Sequence, residues 1–412
     1  MTNGTDSPTD LYTPEFTAYW ARRSLYGLAV WINGMAFRDI NFAPSGTPII
    51  KIAEVKNGVT QQTKFTRDTY DPKYLLQAGD MLFCWSGQPE TSIGTYWWHG
   101  GDGWLNQHIF KVLPKDHLVD RGFFFQLLRY LRPNFVRIAR NKQTTGLGHV
   151  TKSDLERLQV ALPSVEEQRV IAATLGALDD KIESNRRAVD LIQDLSRSIY
   201  LAWRSTHPDT SEATFGSFAD VFGGATPKTT EPNYWDGEIA WATPTDITAL
   251  TAPYLFGTAR MITDAGLAST SAMLHPTGTI FMTSRATIGS FAVTQVPAAT
   301  NQGFIAVRPR QPEHRWFLFE EMRARVPEML DRANGSTFME LSRGNFKLMP
   351  LGIPDAKAIA ELDCELKPLH AKAAQLDSES TRVARLRDTL LPELLSGRIR
   401  VPDTSSLEET VA

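Results

Sequence analysis

A long internal repeat limits the fold of this chain more than any other feature of the sequence. The paired segments are 79–83 (GDMLF) with 278–282 (GTIFM), 93–96 (IGTY) with 288–291 (IGSF), and 106–114 (NQHIFKVLP) with 301–309 (NQGFIAVRP). The spacing from Gly94 to Asn106 equals the spacing from Gly289 to Asn301. A chain of 412 residues that carries its pattern twice is predicted to form two domains of the same fold.

Each copy ends in a long segment with the pattern of a coiled coil. The segments begin after Pro163 and Pro354, where a missing N–H costs little, and their apolar residues recur in steps of four and three. The predicted seam positions are Ile171, Leu175, Leu178, Ile182, Asn185, Val189 and Ile192 in the first helix and Leu362, Leu366, Leu369, Leu376 and Val383 in the second.

Two such helices need an apolar surface to pack against, and the nearest one is each other. Because both helices leave equivalent domains, a pseudo-two-fold arrangement makes the pair antiparallel; pairing with a second chain is the alternative. Asn185 is predicted opposite an apolar layer, where it would set the register at some cost in stability, or else at the surface.

The segments between the helices predict mixed domains, so the fold class is α+β. Short aromatic and β-branched runs bounded by Gly and Pro indicate strands. One helix is predicted near the end of each domain, over 121–140 and 313–333. The predicted parts are an N-terminal arm (1–23), a first domain (24–162), a central helix (163–205), a second domain (206–353), a C-terminal helix (354–402) and a flexible tail (403–412).

The charge pattern leaves nucleic-acid binding open. The net charge of −3 counts against it, because DNA-binding proteins usually carry a basic surface. One stretch nevertheless has six basic residues with no acid between them: Arg121, Arg129, Arg132, Arg137, Arg140 and Lys142. Such a face is compatible with binding phosphates, and a solvated face of an amphipathic helix is the alternative.

Cysteine content and hydropathy predict a cytoplasmic protein with no membrane segment. Cys84 and Cys364 are too few and too far apart to suggest a disulfide framework or a zinc site. No run of about 18 apolar residues occurs. The N-terminus also lacks the basic and then apolar order of a secretory signal.

The motifs expected of an enzyme are missing from the sequence. Residues 146–153 imitate a phosphate-binding loop but have the wrong spacing before the lysine, and His99, His108 and His117 fit no usual metal-ligand spacing. A non-catalytic binding protein without a metal or cofactor is therefore predicted. Two alternatives stay open: an enzyme with an unfamiliar site, and a coiled-coil adaptor that binds protein without reading DNA.

Four motifs resemble the specificity subunits of type I restriction-modification systems. Segments 224–229 (GATPKT) and 234–241 (YWDGEIAW) are similar to the start of a target recognition domain of that family. Segment 162–171 (LPSVEEQRVI) resembles the head of its central helix, and 394–399 (LLSGRI) resembles its C-terminal ending. The first domain departs from the pattern with 31–37 (WINGMAF) at its opening, so its contacts cannot be copied from the second domain.

The resemblance implies a DNA-reading subunit without catalytic activity. Each target recognition domain would read one half of a bipartite, asymmetric site in double-stranded DNA, and the helix pair would set the spacer between the halves. Two modification (methyltransferase) subunits and restriction (endonuclease and translocase) subunits would bind the chain. S-adenosylmethionine, ATP and Mg²⁺ would belong to those partner subunits.

Candidate DNA contacts are polar or basic side chains predicted on loops. They are Trp85, Gln88, Arg137, Arg140 and Lys142 in the first domain and Lys228, Thr229, Thr243, Arg285 and Arg343 in the second. Arg and Lys suit guanine edges or phosphates, and Gln suits adenine; for each basic residue a solvated side chain is the alternative. The shared residues Asn106, Gln107, Asn301 and Gln302 are interpreted as structural, because residues common to both domains cannot explain different targets.

Overall fold

The structure is a computed structural model that describes Tyr12 and residues 14–38, 41–143, 146–334 and 339–400. The chain divides into two compact units. Unit 1 comprises residues 1–180 and 384–412, and unit 2 comprises residues 181–383. The predicted tail (403–412), and residues 1–11 and 13 of the predicted arm (1–23), lie outside the described residues.

The first domain in unit 1 is built from short strands and short helices. Its strands are β1 (Ala21–Ser24), β2 (Ala29–Asn33), β3 (Thr47–Ile50), β4 (Phe65–Thr66), β5 (Leu75–Leu76), β6 (Met81–Cys84), β7 (Ser86–Gly87), β8 (Gly94–Trp97), β9 (Gly103–Leu105), β10 (Ile109–Pro114), β11 (Gly148–His149) and β12 (Gln159–Leu162). Its helices are α1 (Ile52–Asn57), α2 (Pro89–Ser92), α3 (Arg121–Tyr130), α4 (Arg132–Asn141) and α5 (Lys152–Arg157).

Two four-stranded sheets form the centre of this domain. One has the antiparallel order β2-β10-β6-β8, and the other has the order β4-β3-β9-β5 with β3 and β9 parallel. Successive side chains of a strand point to opposite faces. On β6, Met81 and Phe83 pack with α3 and α4, while Leu82 and Cys84 face the second sheet. Because both faces of β6 are covered, this strand is apolar throughout.

The folded part of unit 1 begins before residue 24. Strand β1 pairs antiparallel with β12, and the Trp20 side chain is buried in the domain core. The Thr17 backbone N–H also donates to the Ser396 carbonyl at the end of the C-terminal helix. These contacts join the two ends of the described chain inside unit 1.

A long helix, α6 (Val165–Thr206), connects the first domain to the second domain in unit 2. The strands of unit 2 are β13 (Ser211–Thr214), β14 (Ala219–Phe222), β15 (Trp235–Ala242), β16 (Tyr254–Leu255), β17 (Met261–Ile262), β18 (Ile280–Thr283), β19 (Phe291–Thr294), β20 (Ala298–Thr300), β21 (Phe304–Pro309) and β22 (Pro350–Ile353). Its short helices are α7 (Phe215–Phe218), α8 (Pro244–Thr248), α9 (Asp264–Ala268), α10 (Arg315–Ala324), α11 (Val326–Asp331) and α12 (Arg343–Leu348). The second long helix, α13 (Ala356–Ser396), follows.

The second domain repeats the central part of the topology of the first. Its central sheet has the order β14-β21-β18-β19-β16, and its second sheet, β17-β15-β20, again contains a parallel pair, β15 with β20. On β18, Ile280 and Met282 face one cluster and Phe281 faces another, as the alternate residues of β6 do. The internal repeat of the sequence is therefore a repeat of the fold.

The helices near the ends of the domains differ from the prediction. The segment predicted as one helix over 121–140 forms α3 and α4, and the segment predicted over 313–333 forms a 3-10 turn (Pro312–His314), α10 and α11. Pro133 and Pro327 lie in the first turns of α4 and α11. A proline lacks the N–H of a helical hydrogen bond and clashes with the preceding turn, so each predicted helix breaks there.

Contacts between α6 and α13 occur inside each unit. In unit 1, Ile171 and Leu175 are buried in the same cluster as Leu394 and Leu395, and the Arg387 Nη1 donates to the Asp179 Oδ1 over 2.8 Å. Residue numbers rise along α6 as they fall along α13, so the two helices are antiparallel and pair within one chain.

In unit 2 the same pair buries predicted seam residues. Val189, Leu362, Leu366 and Leu376 belong to one buried cluster. Other predicted seam positions are half-buried: Ile182, Ile192, Leu369 and Val383 in unit 2 and Leu178 in unit 1.

Asn185 lies in the helix seam beside the apolar Leu376, and it also has a polar partner there. It is buried, and its Nδ2 donates to the Glu379 Oε2 over 2.9 Å and to the Leu376 carbonyl over 3.4 Å. The carboxylate of Glu379 reaches over the seam and supplies the partner that a buried amide requires.

Candidate DNA-recognition surface

In unit 1 the chain leaving β6 crosses the segment that follows α4. Ser86 and Gly87 pair antiparallel with His149 and Gly148, and the Val150 N–H donates to the Trp85 carbonyl over 2.8 Å. We call residues 85–87 with 148–150 the first-domain crossing. Gly87 has a φ of 128°, a conformation that favours glycine and lets the chain turn away from the sheet.

The first-domain crossing carries aromatic and neutral polar side chains. The Trp85 Nε1 donates to the Asn33 Oδ1 over 2.9 Å, and the Ser86 hydroxyl lies 3.1 Å from the His149 Nδ1. The ring of His108 lies 5.8 Å from that of Trp85. Burial and the nearby His149 lower the pKa of His108 below its usual value, so His108 is neutral at neutral pH.

Unit 2 forms an equivalent crossing where the chain leaves β18. The Leu341 N–H donates to the Ser284 carbonyl over 3.0 Å, and Arg285 and Glu340 form an isolated antiparallel bridge. We call residues 284–286 with 339–341 the second-domain crossing. The Arg285 Nε lies 2.9 Å from the Glu340 Oε1, and both side chains are nearly half-exposed.

Ala286, at the position of Gly87, has a φ of 59°. A non-glycine residue in this left-handed region costs about 1 kcal/mol, so the second-domain crossing holds its turn at some cost in stability.

Both crossings are supported by the same close approach of two backbones. A Cβ atom placed on Gly34 would lie 2.2 Å from the Asn106 carbonyl oxygen, and one placed on Gly224 would lie 2.2 Å from the Asn301 carbonyl oxygen. Only glycine fits at either position. Asn301 also holds a turn, because its Oδ1 accepts from the Gly303 N–H over 2.8 Å, as the interpretation of these shared residues expected.

The predicted contact residues of the first domain lie on two neighbouring elements. Trp85 is half-buried in the crossing, and Gln88 is exposed before α2. Arg137 is half-buried on α4. Arg140, exposed on the same helix, forms an ion pair with Glu90 of α2.

Lys142, at the end of α4, has a structural role. Its Nζ lies 2.6 Å and 2.7 Å from the two carboxylate oxygens of Asp154, which is 1% exposed. Burial opposes ionisation of Asp154, but hydrogen bonds from Lys142 and Thr151 outweigh it and leave its pKa below the usual value. Asp154 caps α5 through the Thr151 N–H and hydroxyl, so Lys142 stabilises this helix start.

The basic stretch of the first domain is largely engaged inside unit 1. Arg129 forms an ion pair with Asp179 of α6 at 2.8 Å. Arg121 donates to the Gly79 carbonyl, and Arg132 donates to the Ile93 carbonyl. These contacts hold α3 and α4 against the sheet and against α6. The sequence did not reveal that these basic side chains stabilise the fold.

In the second domain the predicted contact residues lie at four places. Lys228 and Thr229 are exposed before β15, and Arg285 lies in the crossing. Thr243 caps α8, with its hydroxyl 2.5 Å from the Asp246 Oδ2. Arg343 is exposed at the start of α12, and a Cβ placed on Gly223 would lie 3.5 Å from its Nη1, so Arg343 lies beside the loop that carries Gly224.

Contacts of these residues with DNA remain predictions, and the structure adds residues that the sequence did not single out. Asn33, Ser86 and His149 surround Trp85, and Glu340 holds Arg285. Aligning the two repeats and asking which positions differ would have found Ser86 and His149, but their pairing across 63 residues is visible only in the fold.

Two aromatic residues of the 234–241 motif lie in the core. Trp235 and Trp241 are 7% and 3% exposed and form an edge-to-face pair. The Arg260 guanidinium covers the ring of Trp235 at 3.5 Å from its centroid. These rings stabilise the second sheet of unit 2 and are closed to stacking with bases.

Comparison with known families assigns the fold. The model of the type I restriction modification DNA specificity domain matches residues 19–192 and again residues 209–362. The chain belongs to this family. The two matches follow the internal repeat, and each contains one domain and the beginning of a long helix.

Specificity subunits of type I restriction enzymes are similar to this chain in sequence. That of MjaIX from Methanocaldococcus jannaschii is 36% identical over 138 residues, which is 33% of this chain and 32% of that protein. That of EcoBI from Escherichia coli is 24% identical over 43% of this chain and 36% of that protein. These two alignments span about a third of the relatives' length. That of HindI from Haemophilus influenzae is 20% identical over 79% of this chain and 88% of that protein.

A solved structure supports the fold assignment over nearly the whole chain. The S subunit of a type I restriction-modification system from M. genitalium superposes with a TM-score of 0.59, covering 95% of this chain and 99% of that chain at 16% identity. Within the part of the chain that the structure describes, no helix is long and apolar enough to cross a membrane. The same described residues contain no group of three or more His, Cys, Asp or Glu side chains placed to hold a metal ion.

Proposed function

We propose that this chain is the DNA specificity subunit of a type I restriction-modification complex in the cytoplasm. Each domain reads one half of an asymmetric, bipartite site, and the α6–α13 pair sets the spacer. The observation that carries the proposal is the pair of crossings: one backbone arrangement, present twice, with different side chains. A protein that reads two different half-sites needs this combination, because base edges are distinguished by side chains and not by the fold.

The chain supplies recognition, and its partners supply the chemistry. We propose that two modification subunits and the restriction subunits bind it, and that S-adenosylmethionine, ATP and Mg²⁺ are held by those partners.

Exposed leucines on the long helices support the docking of partners there. Leu191, Leu195 and Leu201 of α6 and Leu386 of α13 are each about half-exposed or more. Leu195 and Leu386 occupy the same position of the repeat and are both 49% exposed. An apolar side chain kept in water at equivalent places of both copies suits a partner that binds twice.

The decisive experiment maps adenine methylation across the genome of cells that carry this chain and its modification subunit, with and without the chain. We expect one gapped, asymmetric methylated motif to disappear when the chain is deleted. A short, ungapped motif, or methylation that does not depend on the chain, would contradict the proposal and favour a coiled-coil adaptor that does not read DNA.

The spacer role has its own test. Removing one turn, about 5.4 Å, from facing parts of α6 and α13 should shorten the gap by one or two base pairs or abolish methylation. The half-sites themselves should not change, because neither domain is altered. If the deletion leaves the methylated gap unchanged, the helices do not set the spacer.

A further inference from the structure

The crossings have the same backbone construction in both domains. The Trp85 N–H donates to the carbonyl of His108, and the Ser284 N–H donates to the carbonyl of Gly303. The carbonyls of Trp85 and Ser284 accept from Val150 and Leu341. Two equivalent backbone hydrogen bonds therefore hold the chain segment of each crossing.

The side chains at this shared frame differ at every paired position. Trp85 and Ser86 correspond to Ser284 and Arg285, and His108 corresponds to Gly303. The partner across the crossing changes from His149 to Glu340. Most of the shared frame is backbone, so these substitutions change the surface without requiring another fold.

Each set is held in place by contacts within its own domain. In the first domain, Asn33 orients the indole of Trp85, and Ser86 orients the ring of His149. In the second domain, Glu340 restrains Arg285 at 2.9 Å, yet the Arg285 side chain stays 45% exposed. A guanidinium that is both restrained and exposed loses little further conformational entropy when it binds.

We infer that the two crossings are the base-reading elements of their domains, and that Arg285 reads a guanine in the half-site of the second domain. The inference rests on the proposed function and names the residues that carry it. A guanidinium can donate two hydrogen bonds to the O6 and N7 of guanine, which the carboxylate of Glu340 cannot do. Glu340 positions Arg285 and also repels phosphate, which favours an approach to the base edge.

The first-domain crossing reads by different chemistry. It presents an indole and two imidazoles and has no guanidinium, and His108 is neutral at neutral pH because burial lowers its pKa. Ring edges and faces contact thymine methyl groups and single acceptors. We therefore expect no guanine of the first half-site to be read by an arginine of this crossing.

The test replaces Arg285 and maps methylated motifs in the assembled complex with its modification subunit. Arg285→Gln should relax the second half-site at one guanine position, with discrimination falling about ten- to hundredfold. The first half-site should stay unchanged. Arg310→Gln is the matched control, since Arg310 is a half-exposed arginine of the same domain that pairs with Asp220 at 3.0 Å.

A second variant tests the first domain. His149→Ala removes the ring that faces Ser86 and should relax one position of the first half-site only. Thermal melting of both variants checks that they fold. If a variant melts below the wild type, Arg285→Lys, which keeps the charge without the bidentate fork, replaces Arg285→Gln, and His149→Gln replaces His149→Ala.

The outcomes separate this inference from the proposed function. If the wild-type chain directs a gapped motif and neither Arg285→Gln nor His149→Ala changes any position, the crossings do not read bases and the inference is wrong. If Arg285→Gln weakens methylation evenly at all sequences, Arg285 contacts phosphate instead, and the inference is also overturned. If the wild-type chain directs no gapped motif, the proposed function itself fails.

Discussion

The two units fasten their domains to the long helices by different chemistry, although the domains share one fold. In unit 1, Gln126 and Arg129 of α3 meet Asp179 of α6, which also binds Arg387 of α13. The charged side chains of this network are between 16% and 29% exposed. Water therefore reaches each of them and limits what any one ion pair contributes to stability.

In unit 2 the carboxylates of the corresponding contacts are buried. Glu320 of α10 is fully buried and pairs with Arg197 of α6 at 3.2 Å and with Arg323 at 3.0 Å. Tyr200 donates to Glu321, because burial and that carboxylate raise the pKa of its hydroxyl. A buried carboxylate is stable only while its partners remain, so unit 2 should be the more sensitive of the two to the loss of one side chain.

The largest expected effect tests the difference in burial between the two attachments. Arg197→Met keeps most of the aliphatic stem but leaves Glu320 with one arginine, and it should lower the free energy of unfolding of unit 2 by about 3 kcal/mol. The matched change in unit 1, Arg129→Met, should cost about 1 kcal/mol or less, because Asp179 keeps Arg387 and contact with water. Hydrogen-exchange mass spectrometry, which follows α10 and α3 separately, measures both effects. Equal losses in the two variants would mean that burial does not distinguish the two attachments.

The next effect compares how the stability of the two units depends on pH. All eight histidines are described, and only His275 and His370 of unit 2 are 1% exposed. The ring of His370 stacks on Trp316 at 3.6 Å, and its Nδ1 lies 2.9 Å from the Tyr254 hydroxyl. Burial, with Arg323 nearby, lowers the pKa of His370 to about 3, and burial, with Arg308 nearby, lowers that of His275 to about 4.

Both shifts make unit 2 weaker in acid. Between about pH 6.5 and pH 4 the unfolded chain binds protons at these histidines and the folded chain does not, so the free energy of unfolding falls as the pH falls. At pH 5 the loss is about 2 kcal/mol for each histidine relative to neutral pH. Calorimetry at pH 5 and pH 7.5 should show the transition of unit 2 moving further than that of unit 1.

A pair of variants isolates the two histidines. His275→Phe with His370→Phe should remove most of this pH dependence, whereas His99→Gln, at an exposed position of unit 1, should leave it intact. A doubly substituted chain that still loses stability in acid to the same extent would place the titration elsewhere.

The repeat and the helix pair could be predicted, because each shows as a pattern in the sequence. Steps of four and three gave the seam, and Pro163 and Pro354 marked the starts of the long helices. Pro133 and Pro327 also indicate helix breaks in the sequence, because proline interrupts a helical pattern. The prediction of one helix over each segment did not take these prolines into account.

The partners of the candidate site residues could not be predicted, because they lie far away in the sequence. That Lys142 contacts DNA stays a prediction. Its ion pair with Asp154 could not be foreseen, because the burial of this capping residue depends on the fold. Arg285 and Glu340 lie 55 positions apart in the sequence and meet only at the crossing. A charge pattern shows which side chains are basic and not which of them are neutralised.

The smallest expected effect concerns the place where the two copies of the repeat meet. Asn185 of α6 and Leu376 of α13 occupy the same repeat position, and in unit 2 the Asn185 Nδ2 donates to the Leu376 carbonyl. Asn185→Leu would make the two copies alike there. It should change the free energy of unfolding by less than about 1 kcal/mol, because Glu379 is 35% exposed and keeps its ion pair with Lys181 at 3.1 Å.

The matched control is Leu376→Ala, which opens a cavity at the same layer and should cost about 2 to 4 kcal/mol. Urea denaturation compares the two variants. A loss of more than about 2 kcal/mol in Asn185→Leu would show that the amide stabilises the helix pair. A small change in the free energy of unfolding would instead mean that Asn185 sets the register of the two helices. A buried amide destabilises any register in which Glu379 cannot accept its hydrogen bond.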